Sequence, residues 1–411
     1  MLFKDVIGQA ETKQHLVEMV RQNRLSHALL FLGNEGSGAL SLAMAFAQYI
    51  VSLPYDSGEW QDPAPSLFGE EIVKEVKKLP GDVSEADAFM RSHSSYSKSE
   101  AMVHPDIHYS YPVVTRKPGA AAVSSDYIGE WREFLKLYPY GNVYDWLQLI
   151  GAENKQGNIT GQECSEIIHK LSLKSFESGY KILIMWMPEY LGKEGNKLLK
   201  LIEEPPAGTL FILIAETEAS ILSTILSRCQ LIKIPALEVE AVEKALVDRG
   251  HCKPDQAHQI AGVSEGNYRE ALQLQQHNEH DFHSLLRDWL NATVRGLLPA
   301  QQKFIEEAAR LGRETQKQFL RYFMHLLEQS IRLDSLDGKI EERFYSGLSS
   351  PEQDLANRLN KLLAIEQKEA IAGELNKAAY YIERNAHGKI LFHALTIKIF
   401  HIVKNNMIIT A

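Results

Sequence analysis

The chain has 411 residues, a formal net charge of −9, 45% hydrophobic residues and 24% charged residues, a composition typical of a globular protein with two or three domains. The acidic balance argues against a surface covered with phosphate-binding side chains. Three widely separated cysteines, Cys164, Cys229 and Cys252, argue against a disulfide framework, so we expect a reducing cytoplasm. The start of the chain has no signal-peptide pattern, and no apolar stretch is long enough to span a bilayer, so we expect no membrane association.

The first α/β unit is a buried strand, a glycine-rich loop and an apolar helix. Residues 28–32 are the strand, and three glycines follow it: Gly33, Gly36 and Gly38. This order is typical of a P-loop, G-x-x-x-x-G-K-[ST], but Ala39 replaces the lysine and Leu40 replaces the Ser or Thr. A working P-loop uses that lysine on the phosphates and that hydroxyl on Mg²⁺. Taken alone, the loop is therefore best interpreted as a structural turn.

Two stretches interrupt the α/β rhythm after this helix. Residues 54–103 mix prolines and glycines and end in a serine-rich run, which is typical of an insertion with one helix near residues 71–79. A strand follows at residues 104–112. Residues 113–158 form a second insertion, for which apolar residues predict partly helical packing: Trp131, Phe134, Leu135, Trp146 and Leu149.

From residue 160 the pattern predicts strands that alternate with helices. A helix at residues 160–173 has Ile167, Ile168 and Leu171 on its inner side. The predicted strands are residues 181–186, 209–215 and 230–234, and the predicted helices between them are residues 190–204 and 221–226. Continuous apolar runs are typical of strands covered on both faces. The order predicts a doubly wound parallel sheet. From about residue 237 onwards the pattern is helical throughout.

A P-loop enzyme also needs acidic residues at the end of a strand, where they hold Mg²⁺ and polarise water. The matching strand continues as Met185-Trp186-Met187-Pro188-Glu189, so Glu189 is the one carboxylate near the expected position. An acid there is more typical of a helix N-terminus, because the helix dipole stabilises negative charge. Glu189 alone therefore does not predict an ATPase.

Two arginines and a histidine cluster are further candidates. Arg228, in Ser227-Arg228-Cys229, is either an ordinary surface residue or an arginine finger offered to a neighbour's γ-phosphate. Arg269, near a helix start, could face a nucleotide site or pair with a local acid. Cys229 is more typical of a small buried apolar residue than of a reactive thiol. The cluster His277, His280 and His283 superficially suggests a metal site, but its place at a domain joint favours a solvated linker.

Taken in order, these elements resemble the clamp-loader branch of the AAA+ proteins, and more narrowly the family of bacterial DNA polymerase III delta-prime subunits. The resemblance rests on segments spread along the chain: residues 3–9, 26–38, 104–106, 196–206, 227–229, 266–272 and 384–386. It is strongest at residues 28–38 and 180–235 and weakest in the two insertions. The string NKLLKLIEEPP at residues 196–206 is the most specific of these segments.

The resemblance implies an α/β plus all-α architecture. Its parts are an AAA+ sheet domain at residues 1–236, with insertions at about 54–103 and 113–158, a helical lid at 237–280 and a helical collar at 281–411. It also implies a subunit that has lost ATP binding and helps to load the sliding clamp onto primed DNA. The implied partners are the tau/gamma motor subunits, the delta subunit, the sliding clamp and primer–template DNA.

The resemblance also gives roles to single residues. The arginine of the family's Ser-Arg-Cys motif acts in trans on ATP held by an adjacent motor subunit, and here that residue is Arg228. Glu189 takes the place of a degenerate Walker B acid, and Arg269 resembles a sensor-2 arginine. Because the P-loop is degenerate at Ala39 and Leu40, no cofactor of its own is expected.

One departure and two alternatives remain. Many relatives carry a four-cysteine zinc module before the His-Pro-Asp segment, whereas residues 54–103 hold no cysteine, so we expect no zinc. The first alternative is an active AAA+ ATPase with a divergent phosphate contact, which the missing lysine disfavours. The second is a DNA-binding module, which the acidic balance disfavours although four lysines could contact phosphates: Lys170, Lys174, Lys193 and Lys197.

Overall fold

The structure is a computed structural model that describes residues 1–53, 79–116, 119, 121–152, 155–276, 282–335, 350–383 and 386–405. The chain packs as two compact units, Met1–Ala245 with Glu265–Glu270, and Leu246–Ser264 with Ala271–Ala411. The division into three domains stays a prediction. The helix predicted near residues 71–79, the histidines at 277 and 280, and residues 384–385 lie wholly or mostly outside the described residues.

The first unit is built on a five-stranded sheet in the order β2-β3-β4-β1-β5, in which all pairs are parallel. The strands are β1 (Ala28–Gly33), β2 (Ile107–Ser110), β3 (Lys181–Trp186), β4 (Thr209–Ala215) and β5 (Gln230–Ile234). Strands β3 and β4 are buried along their whole length, as their continuous apolar sequences predict. The predicted parallel α/β sheet is therefore confirmed.

Successive residues of the strands face two separate apolar cores, because side chains alternate across a sheet. Leu29 and Phe31 of β1 belong to one core, whereas Ala28 and Leu30 belong to the other. The helices of this part of the chain are α1 (Ala10–Arg21), α2 (Ala39–Val51), α3 (Val83–Ser92), α4 (Tyr96–Glu100), α5 (Ile128–Leu137), α6 (Val143–Leu149), α7 (Gly161–Ser172), α8 (Leu199–Glu203) and α9 (Ser223–Leu226). Four short 3₁₀ helices accompany them: Phe3–Asp5, Ser124–Tyr127, Pro188–Leu198 and Glu218–Ser220.

Two local predictions differ from the structure. The helix predicted at residues 190–204 is a 3₁₀ helix over Pro188–Leu198, interrupted at Gly192 (φ 51°, ψ −140°), and only α8 is α-helical. Gly192 causes this difference, because its positive φ does not belong to a right-handed helix. Ile168, which we expected on the inner side of α7, is 38% exposed, while Ile167 and Leu171 are buried.

The second insertion packs on the sheet through an aromatic cluster. Tyr111 stacks on Trp131 at 3.9 Å between ring centroids, and Trp131 lies edge-on to Trp146 at 5.2 Å. Trp186, the last residue of β3, is 5.2 Å from Trp131. The predicted helical packing of residues 113–158 is confirmed for its described part, and it attaches the insertion to the end of β3.

The rest of the chain is helical wherever the structure describes it. Its helices are α10 (Val239–Gly250), α11 (Pro254–Val263), α12 (Tyr268–Gln276), α13 (Phe282–Arg295), α14 (Leu298–Arg310), α15 (Arg313–Ser335), α16 (Ser350–Leu362), α17 (Ile365–Glu383) and α18 (Gly388–Asn405). Helices α13–α18 share an apolar core in which Trp289 stacks on Phe304 at 4.5 Å. None of the helices in the described part of the chain is long and apolar enough to cross a bilayer.

Candidate functional site

The glycine loop joins β1 to α2, as the sequence predicts. Gly38 caps α2 at φ 86°, and Gly36 has φ 72°, so both positions require the left-handed conformation that glycine adopts without strain. Ala39 and Leu40 then begin α2 and are buried. At the two positions where a P-loop has its lysine and its hydroxyl, this chain therefore has apolar side chains packed in the core.

The chain's own side chains lie against this loop. A Cβ atom at Gly36 would be 1.9 Å from Asn267 Oδ1, and one at Gly38 would be 2.8 Å from Tyr140 Cε1. The cavity that remains beside the loop has a volume of about 30 Å³ and also contacts Trp186 and Met187. Such a volume holds one or two water molecules. Close approach of protein atoms accounts for these glycines without a bound phosphate.

Tyr140 belongs to the second insertion and is held over the loop from several sides. Its hydroxyl accepts a hydrogen bond from the Ile7 main-chain N–H at 2.7 Å. Its ring meets that of Tyr268 edge-on, with the centroids 5.0 Å apart. The neighbouring Pro139 carbonyl accepts a hydrogen bond from Ser41 Oγ of α2 at 2.8 Å. The segment that starts at residue 139 is thus attached to the N-terminus, to α2 and to the segment around residue 268.

Arg269 is buried in an ionic cluster beside Tyr140. Its Nε donates to Asp145 Oδ2 at 2.5 Å and its Nη2 to Asp145 Oδ1 at 2.7 Å, a bidentate pair. Its Nη1 donates to Glu35 Oε1 of the glycine loop at 3.0 Å. Asn142 Nδ2 donates to Glu35 Oε2 at 2.8 Å, and Asn267 Nδ2 donates to Glu35 Oε1 at 3.2 Å. The side chain of Arg269 is only 5% exposed, so this arginine pairs with two carboxylates of its own chain.

The end of β3 holds no pair of acids. Trp186 and Met187 are buried there, and Met187 has φ 59°. Glu189 Oε1 accepts hydrogen bonds from the main-chain N–H groups of Glu216 (2.7 Å) and Thr217 (3.0 Å), which follow β4. The carboxylate therefore stabilises the turn after β4 and is not among the residues that line the cavity.

Arg228 lies apart from the glycine loop, between α9 and β5. Its side chain is 31% exposed, and its Nε donates to Glu203 Oε1 at 2.6 Å. Its Nη1 donates to the Thr224 carbonyl at 2.6 Å and to Ser227 Oγ at 3.1 Å. Burial raises the pKa of the neighbouring Cys229 thiol to about 11, so Cys229 is a packing residue and not a reactive thiolate at neutral pH.

The family assignment follows from the sequence of this same region. The family model described as "DNA polymerase III, delta subunit" matches residues 8–65 and 94–238, which include the glycine loop and Arg228. Relatives described as "DNA polymerase III subunit delta'" match as well. The chain belongs to the clamp-loader family.

Two curated relatives are similar to this clamp-loader chain over most of its length. The delta' subunit of Bacillus subtilis is 25% identical over 66% of this chain and 60% of its own length, so the match spans less than two thirds of that protein. The gamma subunit of Buchnera aphidicola is 26% identical over 77% of this chain and 70% of its own length. A solved structure of a gamma subunit-related protein from Thermotoga maritima is 13% identical, covers 93% of this chain and 98% of its own, and has a TM-score of 0.36.

Several residues of the site in this clamp-loader chain were missed by the sequence analysis. Glu35, Tyr140, Asn142 and Asp145 were not candidates, although together they surround the glycine loop and Arg269. One signal was present, because Asn142 and Asp145 form the capping box that begins α6. That pattern predicts a helix start but not its position in space.

Metal binding had been expected to be absent from this clamp-loader chain. In the part of the chain that the structure describes, no three His, Cys, Asp or Glu side chains come together as a metal site. Of the three clustered histidines only His283 lies in that part, and its Nε2 is 3.2 Å from the Pro351 carbonyl oxygen. That the protein binds no zinc stays a prediction.

Proposed function

We propose that this protein is a clamp-loader subunit that does not hydrolyse ATP itself and supplies Arg228 to ATP held by an adjacent motor subunit. One observation supports the first claim, that this chain does not hydrolyse ATP itself. The glycine loop, which in a motor subunit surrounds phosphates, is covered here by Tyr140 and has Ala39 in place of the lysine. Membership of the clamp-loader family supports the second claim.

Electrostatics add to the case against ATP binding. Glu35 lies within the glycine loop, so a polyphosphate there would approach a half-buried carboxylate, and like charges repel. Arg269, the cation nearest to the loop in this cluster, already pairs with Glu35 and Asp145. To contact a bound phosphate, this arginine would have to leave two half-buried carboxylates, which is costly.

Arg228 has the properties that an arginine finger needs. Its guanidinium lies at the surface, on a short segment between α9 and the edge strand β5. The surrounding backbone is ordered by hydrogen bonds, such as Arg228 N–H to the Ile225 carbonyl at 3.0 Å. An arginine that stabilises the charge of phosphoryl transfer raises the rate by roughly 10³–10⁵. One residue in a subunit without its own ATP site can therefore control hydrolysis next door.

The proposed task is loading of the sliding clamp onto primed DNA as part of the DNA polymerase III holoenzyme in the cytoplasm. The proposed partners are the tau/gamma motor subunits, the delta subunit, the sliding clamp and primer–template DNA. ATP is then a ligand of the neighbouring subunit, and this chain has no cofactor of its own. The described relatives are a delta', a gamma and a tau subunit, which supports assembly with such components.

The first test removes the proposed arginine finger. Arg228→Ala should leave assembly with the motor subunits intact and lower the clamp- and DNA-stimulated ATPase rate of the reconstituted loader at least tenfold. Arg24→Ala is the matched control, since Arg24 is an exposed arginine of the same unit for which no side-chain contact is described. An ATPase rate equal to that of the wild type in the Arg228→Ala loader would remove the trans mechanism.

The second test asks whether this chain binds ATP by itself at its glycine loop. Isothermal titration of the isolated full chain with Mg·ATP should give no saturable binding, while the assembled loader should bind ATP through its motor subunits. Micromolar binding by the isolated chain would instead favour an active ATPase with a divergent phosphate contact. The same titration with primer–template DNA tests solitary DNA binding, whose affinity would fall steeply with added salt.

A further inference from the structure

The guanidinium of Arg228 is engaged within its own subunit. Glu203 Oε1 accepts from Nε at 2.6 Å and also from Nη2, while Nη1 donates to the Thr224 carbonyl and to Ser227 Oγ. Four of the five N–H groups of the guanidinium thus have acceptors. The Nε–Nη2 edge, which faces Glu203, is an edge through which arginine binds carboxylates and phosphates bidentately.

The same edge cannot hold Glu203 and a phosphate together. Both ligands are anions that need the same pair of N–H donors, and a phosphate oxygen at hydrogen-bond distance would occupy the position of Glu203 Oε1. The two ligands therefore compete. The ion pair with Glu203 therefore opposes the binding of Arg228 to a phosphate of another molecule.

Both partners of this pair are placed by buried anchors. Glu203 ends α8, and the preceding Ile202 is buried in the second core of the sheet. Arg228 follows α9, whose Ile225 is buried in the same core. Because their helices pack on one core, the two side chains meet at the surface. The pair is a consequence of the fold on which the family's EEPP and SRC segments are built.

We propose that Glu203 is a positioning residue that holds Arg228 on its own subunit and must release it before the arginine can bind the polyphosphate of a neighbour. This inference rests on the proposed function, since it assumes that Arg228 acts in trans. The two side chains are 31% and 44% exposed, and ion pairs this close to solvent are weak. Glu203 therefore restrains Arg228 only weakly, and this restraint limits how much ATP the loader hydrolyses before clamp and DNA are in place.

The test replaces the carboxylate by its neutral isostere. In a loader reconstituted with Glu203→Gln, the ATPase rate without clamp and DNA should rise about two- to fivefold, the range that a partly exposed ion pair supports. The fully stimulated rate should stay close to that of the wild type, since Arg228 is then already released. Glu204→Gln is the matched control, because it makes the same charge change one residue along, at an exposed side chain for which no contact with Arg228 is described.

A double substitution separates this inference from the proposed function. Adding Glu203→Gln to Arg228→Ala should change nothing further, because the effect of Glu203 acts through Arg228. An ATPase rate without clamp and DNA that is no higher in Glu203→Gln than in Glu204→Gln would contradict the proposed restraint of Arg228 by Glu203. A normal stimulated rate in Arg228→Ala would instead overturn the proposed function. Thermal unfolding of each variant checks that neither result comes from loss of the fold.

Discussion

Asp106 shows what the His-Pro-Asp segment does in this fold. Its carboxylate accepts hydrogen bonds from three consecutive main-chain N–H groups, those of Phe176 (2.5 Å), Glu177 (2.9 Å) and Ser178 (2.9 Å). His104 accepts from the Asp106 N–H through Nδ1 at 3.2 Å. The segment therefore stabilises the turn that leads into β3. Its role is structural, and the sequence alone had flagged it only as part of a family resemblance.

The first prediction at the residue scale concerns this turn. Asp106→Ala should lower the free energy of unfolding by about 3 kcal/mol, because three N–H groups lose a charged acceptor in a buried place. Asp126→Ala, at an exposed aspartate of the second insertion, is the control and should change the free energy of unfolding by less than about 0.5 kcal/mol. Urea unfolding measures both. Equal effects of the two substitutions would show that the Asp106 contacts contribute little.

At the scale of elements, the glycine loop and the second insertion pack against each other. The loop supplies Glu35 and Gly38, and the insertion supplies Tyr140 and Asp145, which lie more than 100 residues later in the chain. Tyr140 contacts Gly38 directly, Asn142 donates to Glu35, and Arg269 bridges Glu35 and Asp145. The insertion therefore has a structural role in keeping protein atoms against the loop.

The prediction at this scale uses two glycines. Gly38→Ala should lower the free energy of unfolding by about 2 kcal/mol or more, since φ 86° is strained for alanine and its Cβ would be 2.8 Å from Tyr140. Gly129→Ala is the opposite case. Gly129 lies in α5 with no atom near the position of a Cβ, so alanine there should raise the stability by about 0.5–1 kcal/mol. Thermal or urea unfolding of both variants would test the pair, and a stable Gly38→Ala protein would contradict the packing described.

At the scale of the whole molecule, both compact units contain histidines whose ionisation burial disfavours. Burial lowers the pKa of His104 and His108 in the first unit and of His325 in the second. The unfolded chain then binds protons more readily than the folded chain. The contribution of these residues to stability is therefore complete above about pH 6.5 and is lost as the pH falls below that value.

We predict that the urea concentration at the midpoint of unfolding decreases as the pH is lowered from about 7.5 to about 5.5. His325→Gln should reduce this dependence, because one of the buried groups no longer titrates. A midpoint that stays constant or rises over this range would contradict the burial of these side chains.

Much of the fold could be predicted from the sequence, because its signals are local. Apolar runs identified β1, β3, β4 and β5, and helical spacing identified α2, α7 and α9 as well as the helical part of the chain after residue 237. The helix predicted at residues 190–204 was wrong in its first half, where Gly192 takes a positive φ. Propensity and periodicity act within a few residues, and they predict the elements for that reason.

In the candidate site, too, some features follow from local sequence and others only from tertiary packing. The sequence by itself determined that Ala39 and Leu40 replace the working residues of a P-loop and that Arg228 precedes the last strand. Only the tertiary structure decided that Tyr140 covers the loop, that Asp145 and Glu35 hold Arg269, and that Glu203 holds Arg228. These contacts join residues 25 to 234 positions apart. They depend on how elements pack in space, which no local pattern of residues records.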